Sequence, residues 1–321
     1  MKIAILGTSN SVMARAYVDA LRQEHDVLNF SIGRVPAVFH IKTILSAAEK
    51  LAKCDVILLD HYVNDINTYL LRASNYLQHV ESLYALLGRI GRPVLNILFP
   101  ISDLAMRAES WYVEYVEKLS CSSGFSYVNL NQCSFSFSSF QDELHLKREI
   151  SYAFGIYLLG CIENTKYQPP NITRETLLDY RLISARSVAK ANHKNCELFS
   201  NSLVNLKYLP VNSSVVICDT NNDEAQLWHA ISIGYFNKTD DVSGAQFVTR
   251  GATVPFSVGG QGYFHELLPA GVIATDELQL VPVKMGESYP SLMGRYGILT
   301  PSFCTPTFNF CDLLLARPKV L

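Results

Sequence analysis

The chain opens Met1-Lys2-Ile3-Ala4-Ile5-Leu6-Gly7-Thr8-Ser9-Asn10-Ser11, and how these residues are read decides the fold. Lys2–Leu6 is a short, mostly apolar run that stops at a glycine. A strand buried on both faces has this look, because it has no solvent side to mark with alternating polar residues. Val12–Gln23 follows, with Val12, Ala16 and Ala20 recurring along one face, which predicts a helix. A buried strand feeding a helix is the repeating unit of a parallel sheet, whose strands need crossover connections.

Outward from this unit the same alternation recurs. Asp26–Ile32, closed by Gly33, reads as a second strand, and Asp55–Asp60, Pro93–Phe99 and Phe125–Leu130 read as three more. Ile41–Ala52, Ile66–Ile90 and Glu109–Ser120 read as the helices between them, and Leu146–Ile162 as the closing helix. The expectation is an α/β domain over residues 1–165, a five-stranded parallel sheet covered on both faces. Beyond it the pattern changes. Tyr167–Pro170 reads as a linker and Thr173–Phe199 as polar and partly helical. From about Leu206, short β-prone runs are broken by Gly, Pro, Asn and Asp: Ser214–Cys218, Leu227–Tyr235, Ala245–Val248, Gly271–Ala274, Leu278–Val283 and Cys311–Ala316. They predict that residues 166–321 end in a sandwich-like antiparallel β domain, a candidate carbohydrate-binding module.

The bulk composition narrows the function. With 49% hydrophobic and 17% charged residues among 321, the chain has material for a large core and is not a disordered one. A formal charge of −2 gives no general field that would draw nucleic acid or an anionic membrane. The apolar run at the N-terminus is too short for a secretory signal, and the longest apolar candidate, Ala153–Ile162, is too short to span a bilayer. A cytoplasmic protein without a membrane span is therefore expected. The eight cysteines (54, 121, 133, 161, 196, 218, 304 and 311) show no Cys-x-x-Cys pair or zinc-like spacing and read as plain thiols. In that compartment the Asn-x-Ser/Thr matches at Asn171, Asn212 and Asn237 carry no glycan.

Ligands of open parallel sheets bind outside the carboxyl ends of the strands, so the residues following each strand are the candidates. Ser9 follows the first strand, where a turn would present its hydroxyl beside the N–H groups of the next helix. Gly33 follows the second, where a glycine lets backbone approach a ligand. Asn64, after the third, could donate to an oxyanion through a neutral amide. Asp142 and His145, after the fifth, could form a carboxylate–imidazole pair with one ring nitrogen left to take a proton from a serine. Each has a plain structural alternative when read singly: a helix cap for Ser9 or Asn64, a turn for Gly33, solvated loop chemistry for the last pair. Asp60-His61 could form a second acid–base pair, though His61 reads more simply as supporting the site. His229 reads as a packing or surface residue of the β domain. His265, before Glu266, lacks partners at metal-ligand spacing, and Gly259–Gly262 reads as a β turn.

The ordered set Ser9, Gly33, Asn64 and Asp142-x-x-His145 resembles the SGNH (GDSL-like) hydrolase superfamily, whose four sequence blocks carry Ser, Gly, Asn and His in this order. The resemblance covers about residues 1–163. It departs from the pattern twice, with Gly7-Thr8-Ser9 in place of Gly-Asp-Ser and Tyr62-Val63-Asn64-Asp65 in place of Gly-x-Asn-Asp. It implies the flavodoxin-like sheet of the SGNH hydrolase fold, with Ser9 as nucleophile, His145 as base and Asp142 as its orienting acid. It also implies an oxyanion hole from Ser9, Gly33 and Asn64, and a pocket drawing on Thr8, Asn10, His61, Tyr62 and Asp65. The activity implied is a serine-dependent esterase or deacetylase for an acylated carbohydrate or other small ester, with no metal or other cofactor. The same constellation would serve an O-acetyltransferase acting on a glycan or its precursor. The departures at Thr8 and Tyr62 leave a third reading, an inactive scaffold or glycan-binding protein.

Overall fold

The computed structural model describes residues 1–70, 75–169, 178–200, 205–219, 228–240, 242–249, 251–268, 272–274, 277–283, 288–292, 302–303 and 308–318. They fall into two compact units, one ending at residue 169 and one beginning at 178. Among the readings above, Pro170 of the linker, Asn171, residues 173–177, Leu227, Gly271 and Cys304 lie outside the described residues.

In the first unit β1 (Lys2–Leu6) is followed by α1 (Tyr17–Glu24), β2 (Asp26–Asn29), α2 (Ala37–Leu51), β3 (Val56–Leu59), the single turn α3 (Tyr62–Asn64), α4 (Tyr76–Ile90), β4 (Val94–Leu98), α5 (Trp111–Ser122), β5 (Ser126–Asn129), a small hairpin of β6 (Phe140–Asp142) and β7 (His145–Leu146), and α6 (Arg148–Asn164). β1 to β5 form a five-stranded, all-parallel sheet in the order β2-β1-β3-β4-β5. Residues 3–6, 56–59 and 94–98 are buried throughout, which explains their unbroken apolar runs. The chain leaves β1 for one side and returns for β3 on the other. The carboxyl ends of β1 and β3 thus form the topological switch point where ligands of such sheets bind.

α1 packs on α6 and α2 on α4. The buried residues of α6 are Ser151, Phe154, Gly155, Leu158 and Ile162, a stripe at helical spacing. Gly155 sits where a Cβ would lie 2.6 Å from the Tyr17 carbonyl oxygen, so the α6 backbone lies directly against Tyr17 and Ala20 of α1 there.

Two helices begin five or more residues later than the periodicity predicts. α1 starts at Tyr17 rather than Val12, because Arg15 is left-handed (φ 58°) and Ala16 is extended. The Asp19 carboxylate takes the Arg15 N–H at 2.6 Å and so fixes the break. The predicted helix Ile66–Ile90 is also divided: a wide π turn spans Asp65–Tyr69, and α4 begins at Tyr76. Among the described residues no helix is long and apolar enough to cross a membrane, and cysteines 54, 121, 133, 161, 196 and 311 form no disulfide.

The second unit contains β8 (Leu178–Ser184), α7 (Ala185–Ala191), β9 (Glu197–Ser200), β10 (Asn205–Val211), β11 (Val215–Asp219), β12 (Trp228–Asn237), β13 (Ser243–Val248), β14 (Thr253–Val258), β15 (Gly262–Leu267), β16 (Ile273–Ala274), β17 (Glu277–Pro282), the pair β18 (Ser288–Tyr289) and β19 (Ser302–Phe303), and β20 (Phe308–Pro318). One antiparallel sheet runs β15-β12-β20-β10-β9, with β8 also on β20, and another runs β11-β17-β13-β14. Side chains of both sheets, among them Ile233, Phe310, Phe247 and Phe256, share one core that Val188 of α7 joins. Gly259–Gly262 is the turn from β14 of one sheet to β15 of the other. The stretch read as polar and partly helical does contain α7, but Leu178–Ser184 is a strand paired along β20.

Candidate active site

The turn after β1 is set by close packing. A Cβ on Gly7 would lie 2.0 Å from Ser11 Oγ, so only glycine lets the chain double back there. Ser9–Ser11 then form one 3-10 turn, with Ser11 N–H on the Thr8 carbonyl at 3.1 Å and Val12 N–H on that of Ser9 at 3.2 Å. No cap hydrogen bond is made by a side chain at this turn, and the N-terminus of α1 lies eight residues beyond Ser9. The helix expected to begin beside Ser9 is absent. Ser9 is held by the turn itself.

The β6–β7 hairpin presents the other half of the site. Asp142 Oδ1 accepts the backbone N–H groups of Leu144 (2.9 Å) and His145 (3.0 Å), a local turn that folds the carboxylate back on its own chain. The same carboxylate lies 2.7 and 2.9 Å from His145 Nδ1. Burial pushes the Asp142 carboxyl up, but the Leu144 N–H, the His145 ring and its charge, and the His145 N–H together outweigh this and hold it below its ordinary range. An ionised carboxylate only accepts, so Nδ1 carries the proton and Nε2 presents its lone pair. Ser9 Oγ is 2.7 Å from that Nε2. Asn10 Nδ2 donates to the Leu144 carbonyl at 3.4 Å, linking the serine turn to the hairpin. On its other side the hairpin is held by Ser102 N–H on the Glu143 carbonyl (3.0 Å) and by Arg107 on the Glu143 carboxylate (3.4 Å).

The remaining sequence candidates occupy distinct places. A Cβ on Gly33 would lie 3.8 Å from Ser9 Cβ, which puts that loop beside the Ser9 turn. Asn64 Nδ2 donates to the Val35 carbonyl at 3.2 Å, two residues from Gly33, and an amide nitrogen has a second proton to give. Thr8, Asn10, His61, Tyr62 and Asp65 are all buried. Tyr62 donates through its hydroxyl to the Phe99 carbonyl and accepts from Asn131 at 2.7 Å, so its ring is anchored at the end of β4. Burial pushes its phenol well above the usual range.

Asp60 and His61 do not pair with each other. Asp60 Oδ2 takes the Thr8 N–H (3.3 Å), the Thr8 hydroxyl (3.2 Å) and the Ser11 hydroxyl (2.9 Å). His61 sits between Asp65 (Nδ1 to Oδ2, 2.6 Å) and the Tyr84 hydroxyl (3.1 Å). Asp65 also accepts from Tyr112 (2.8 Å), from Tyr76 and from the Ala37 N–H (3.2 Å), so a buried carboxylate is surrounded by donors from α2, α4 and α5. Burial, with the neighbouring Asp65 charge, holds the Tyr76 and Tyr112 phenols protonated. The sequence reading missed both networks. Their one visible sign was acids closing and following the all-apolar run Val56–Leu59.

A second Ser–His–Asp set lies in the β unit. His265 Nε2 is 2.8 Å from Ser232 Oγ and its Nδ1 is 3.3 Å from Asp312 Oδ1, with Tyr263 on Asp312 at 3.2 Å. Ser232 and His265 are 0% exposed, whereas the side chains of His145 and Asp142 are 20% and 52% exposed. Only the Ser9 set meets solvent. Among the described residues no group of three His, Cys, Asp or Glu is placed to hold a metal ion.

No protein-family model and no curated protein matches the chain. Solved structures do resemble it. A lipase/acylhydrolase from Enterococcus faecalis is 16% identical, with a TM-score of 0.42 over 52% of this chain and 98% of that one. A GDSL-like lipase from Bacteroides thetaiotaomicron is 12% identical, with a TM-score of 0.42 over 50% and 87%. A member of the lipolytic G-D-S-L family from Veillonella parvula is 17% identical, with a TM-score of 0.41 over 51% and 99%. About half of the chain thus resembles lipases and acylhydrolases of the GDSL (SGNH) type, and its C-terminal remainder has no such match.

Proposed function

We propose that the chain is a serine-dependent ester hydrolase acting through Ser9, His145 and Asp142. The observation that carries this reading is the continuous relay from Ser9 Oγ to His145 Nε2 (2.7 Å) and from Nδ1 to Asp142 (2.7 Å), open to solvent at the switch point of the sheet. As the Ser9 oxygen attacks an ester carbonyl, its proton passes to Nε2, and Asp142 stabilises the imidazolium without taking a proton itself. The N–H groups of Ser9 and Gly33 and the Asn64 amide are the donors assigned to the oxyanion. The carbonyl–alkoxy bond then breaks and His145 returns the proton to the departing alcohol. In the second half His145 takes a proton from water, the hydroxide attacks the acyl carbonyl, the bond from the carbonyl to Ser9 Oγ breaks, and His145 returns the proton to Ser9 as the acid leaves.

The substrate class assigned is a small ester, with an acylated sugar the first to try. Turnover of p-nitrophenyl acetate should be lost in Ser9→Ala, and a fluorophosphonate should label wild type at Ser9. Unchanged turnover in the variant would overturn the assignment. An acetyl donor incubated with glycan acceptors should give mainly free acetate, and transfer exceeding hydrolysis would make the protein an O-acetyltransferase instead.

A further inference from the structure

Asp60 closes β3, and its carboxylate reaches across to the turn after β1. It is 0% exposed. One oxygen, Oδ2, receives three hydrogen bonds, from the N–H and hydroxyl of Thr8 and from the hydroxyl of Ser11. Thr8 and Ser11 bracket the 3-10 turn that carries Ser9, and the Ser11 N–H closes that turn on the Thr8 carbonyl. Both ends of the turn are therefore tied to the same atom. Ser11 Oγ is further linked to the Tyr17 hydroxyl at 2.5 Å, which fixes the turn to the start of α1.

Thr8 stands where the Gly-Asp-Ser pattern has an acid, and here a carboxylate comes to the same turn from the end of β3, beside β1 in the sheet. We propose that Asp60 is the positioning residue of the nucleophile, holding the Thr8–Ser11 turn so that the Ser9 hydroxyl meets His145 Nε2. The inference rests on the assignment of Ser9 as nucleophile. Ser9 itself does not touch Asp60, so the effect passes through the two flanking residues.

An alternative is that Asp60 only contributes to folding, and its environment opposes that. A buried carboxylate is costly unless its lone pairs are filled. Asp60 Oδ1 finds no donor among the described residues, and burial raises the carboxyl above its ordinary value despite the bonds from Ser11 and Thr8. Among titratable groups, His61 lowers it, and the Asp60 charge in turn raises the Tyr17 and Tyr62 phenols. Acids kept at such cost beside a nucleophile are the usual exception to well-satisfied cores.

The experiment compares wild type, Asp60→Asn and Asp60→Ala with an excess of a fluorophosphonate probe. It records the labelled fraction at saturation and the second-order labelling rate constant. A loss of folding lowers the fraction, whereas a misplaced hydroxyl lowers the rate constant of the protein that is labelled. Asparagine keeps an acceptor at the Oδ2 position and should label within about tenfold of wild type. Alanine leaves three donors without an acceptor and should label about 100-fold more slowly, the scale of a misplacement near 1 Å. With p-nitrophenyl acetate the alanine defect should fall on kcat with KM little changed. Equal rate constants for wild type and Asp60→Ala overturn the inference, as does an asparagine variant as slow as alanine. Wild type that is not labelled at all overturns the assignment of Ser9 instead.

Discussion

Asp142 and His145 make the sharpest residue-scale prediction, because their geometry dictates a protonation pattern. The Asp142 carboxyl lies below its ordinary value, so its contribution to stability is in place above the unfolded value of about 3.9 and is lost as pH falls through the lower folded value. A carboxyl-carbon NMR titration should place the Asp142 midpoint below that of an unfolded peptide, and a midpoint above it would refute the ion pair. Asp142→Asn should keep the fold but favour the wrong ring tautomer, lowering kcat by about 10²- to 10⁴-fold in the p-nitrophenyl acetate assay. These residues were legible in the sequence because their order and spacing are chemical. Asp60 was not, because a buried acid shows nothing in sequence of what it will face, and the same holds for Tyr76 and Tyr112 on Asp65.

At the scale of elements, α1 and α6 can be tested through two glycines of one helix. Gly155→Ala places a methyl group 2.6 Å from the Tyr17 carbonyl and 2.7 Å from Ala20 Cβ, so the helices must part. A cost of about 1–3 kcal/mol is expected, read as a lower denaturation midpoint. Gly160→Ala, with nothing within 4 Å of the added carbon, should instead stabilise by about 0.5–1 kcal/mol. Equal effects of the two would show that the contact is not tight. The three inner strands β1, β3 and β4 were readable because a strand buried on both faces leaves an unbroken apolar run, whereas the edge strands β2 and β5 are only partly buried and carry polar residues. The start of α1 was hidden for the converse reason: Val12, Ala16 and Ala20 keep a helical spacing through residues that are not helical. Contacts rather than periodicity mark where that helix begins: Asp19 takes the Arg15 N–H, and the Ser151 hydroxyl takes the N–H of Tyr17.

At the scale of the whole molecule, two Ser–His–Asp sets stand among the described residues, one in each unit, and exposure separates them. Ser232→Ala should leave fluorophosphonate labelling unchanged in rate and extent, whereas Ser9→Ala should abolish it. Label found on Ser232 by peptide mass analysis would mean that the buried set opens. In the sequence, Ser232, His265 and Asp312 gave no sign of one another, because β12, β15 and β20 are brought together by sheet pairing across long intervals. The β unit was legible only as a class. Its punctuation by Gly, Pro and Asn marks turns, but strand order depends on packing that no local window contains.

The hairpin of β6 and β7 has a consequence for how the His145 imidazole is lost from the site or moved. Four consecutive residues hold the acid, the imidazole and the two backbone groups that orient them, with no help from the serine. The pair is a self-contained cassette. If the hairpin swings away from the sheet, the strongly hydrogen-bonded imidazole proton should keep its low-field NMR resonance while any ester turnover through Ser9 is lost. Spectroscopic integrity of the pair and competence of the site would then be separate observables, and the tetrapeptide Asp142–His145 would be a piece that can be grafted onto another serine turn.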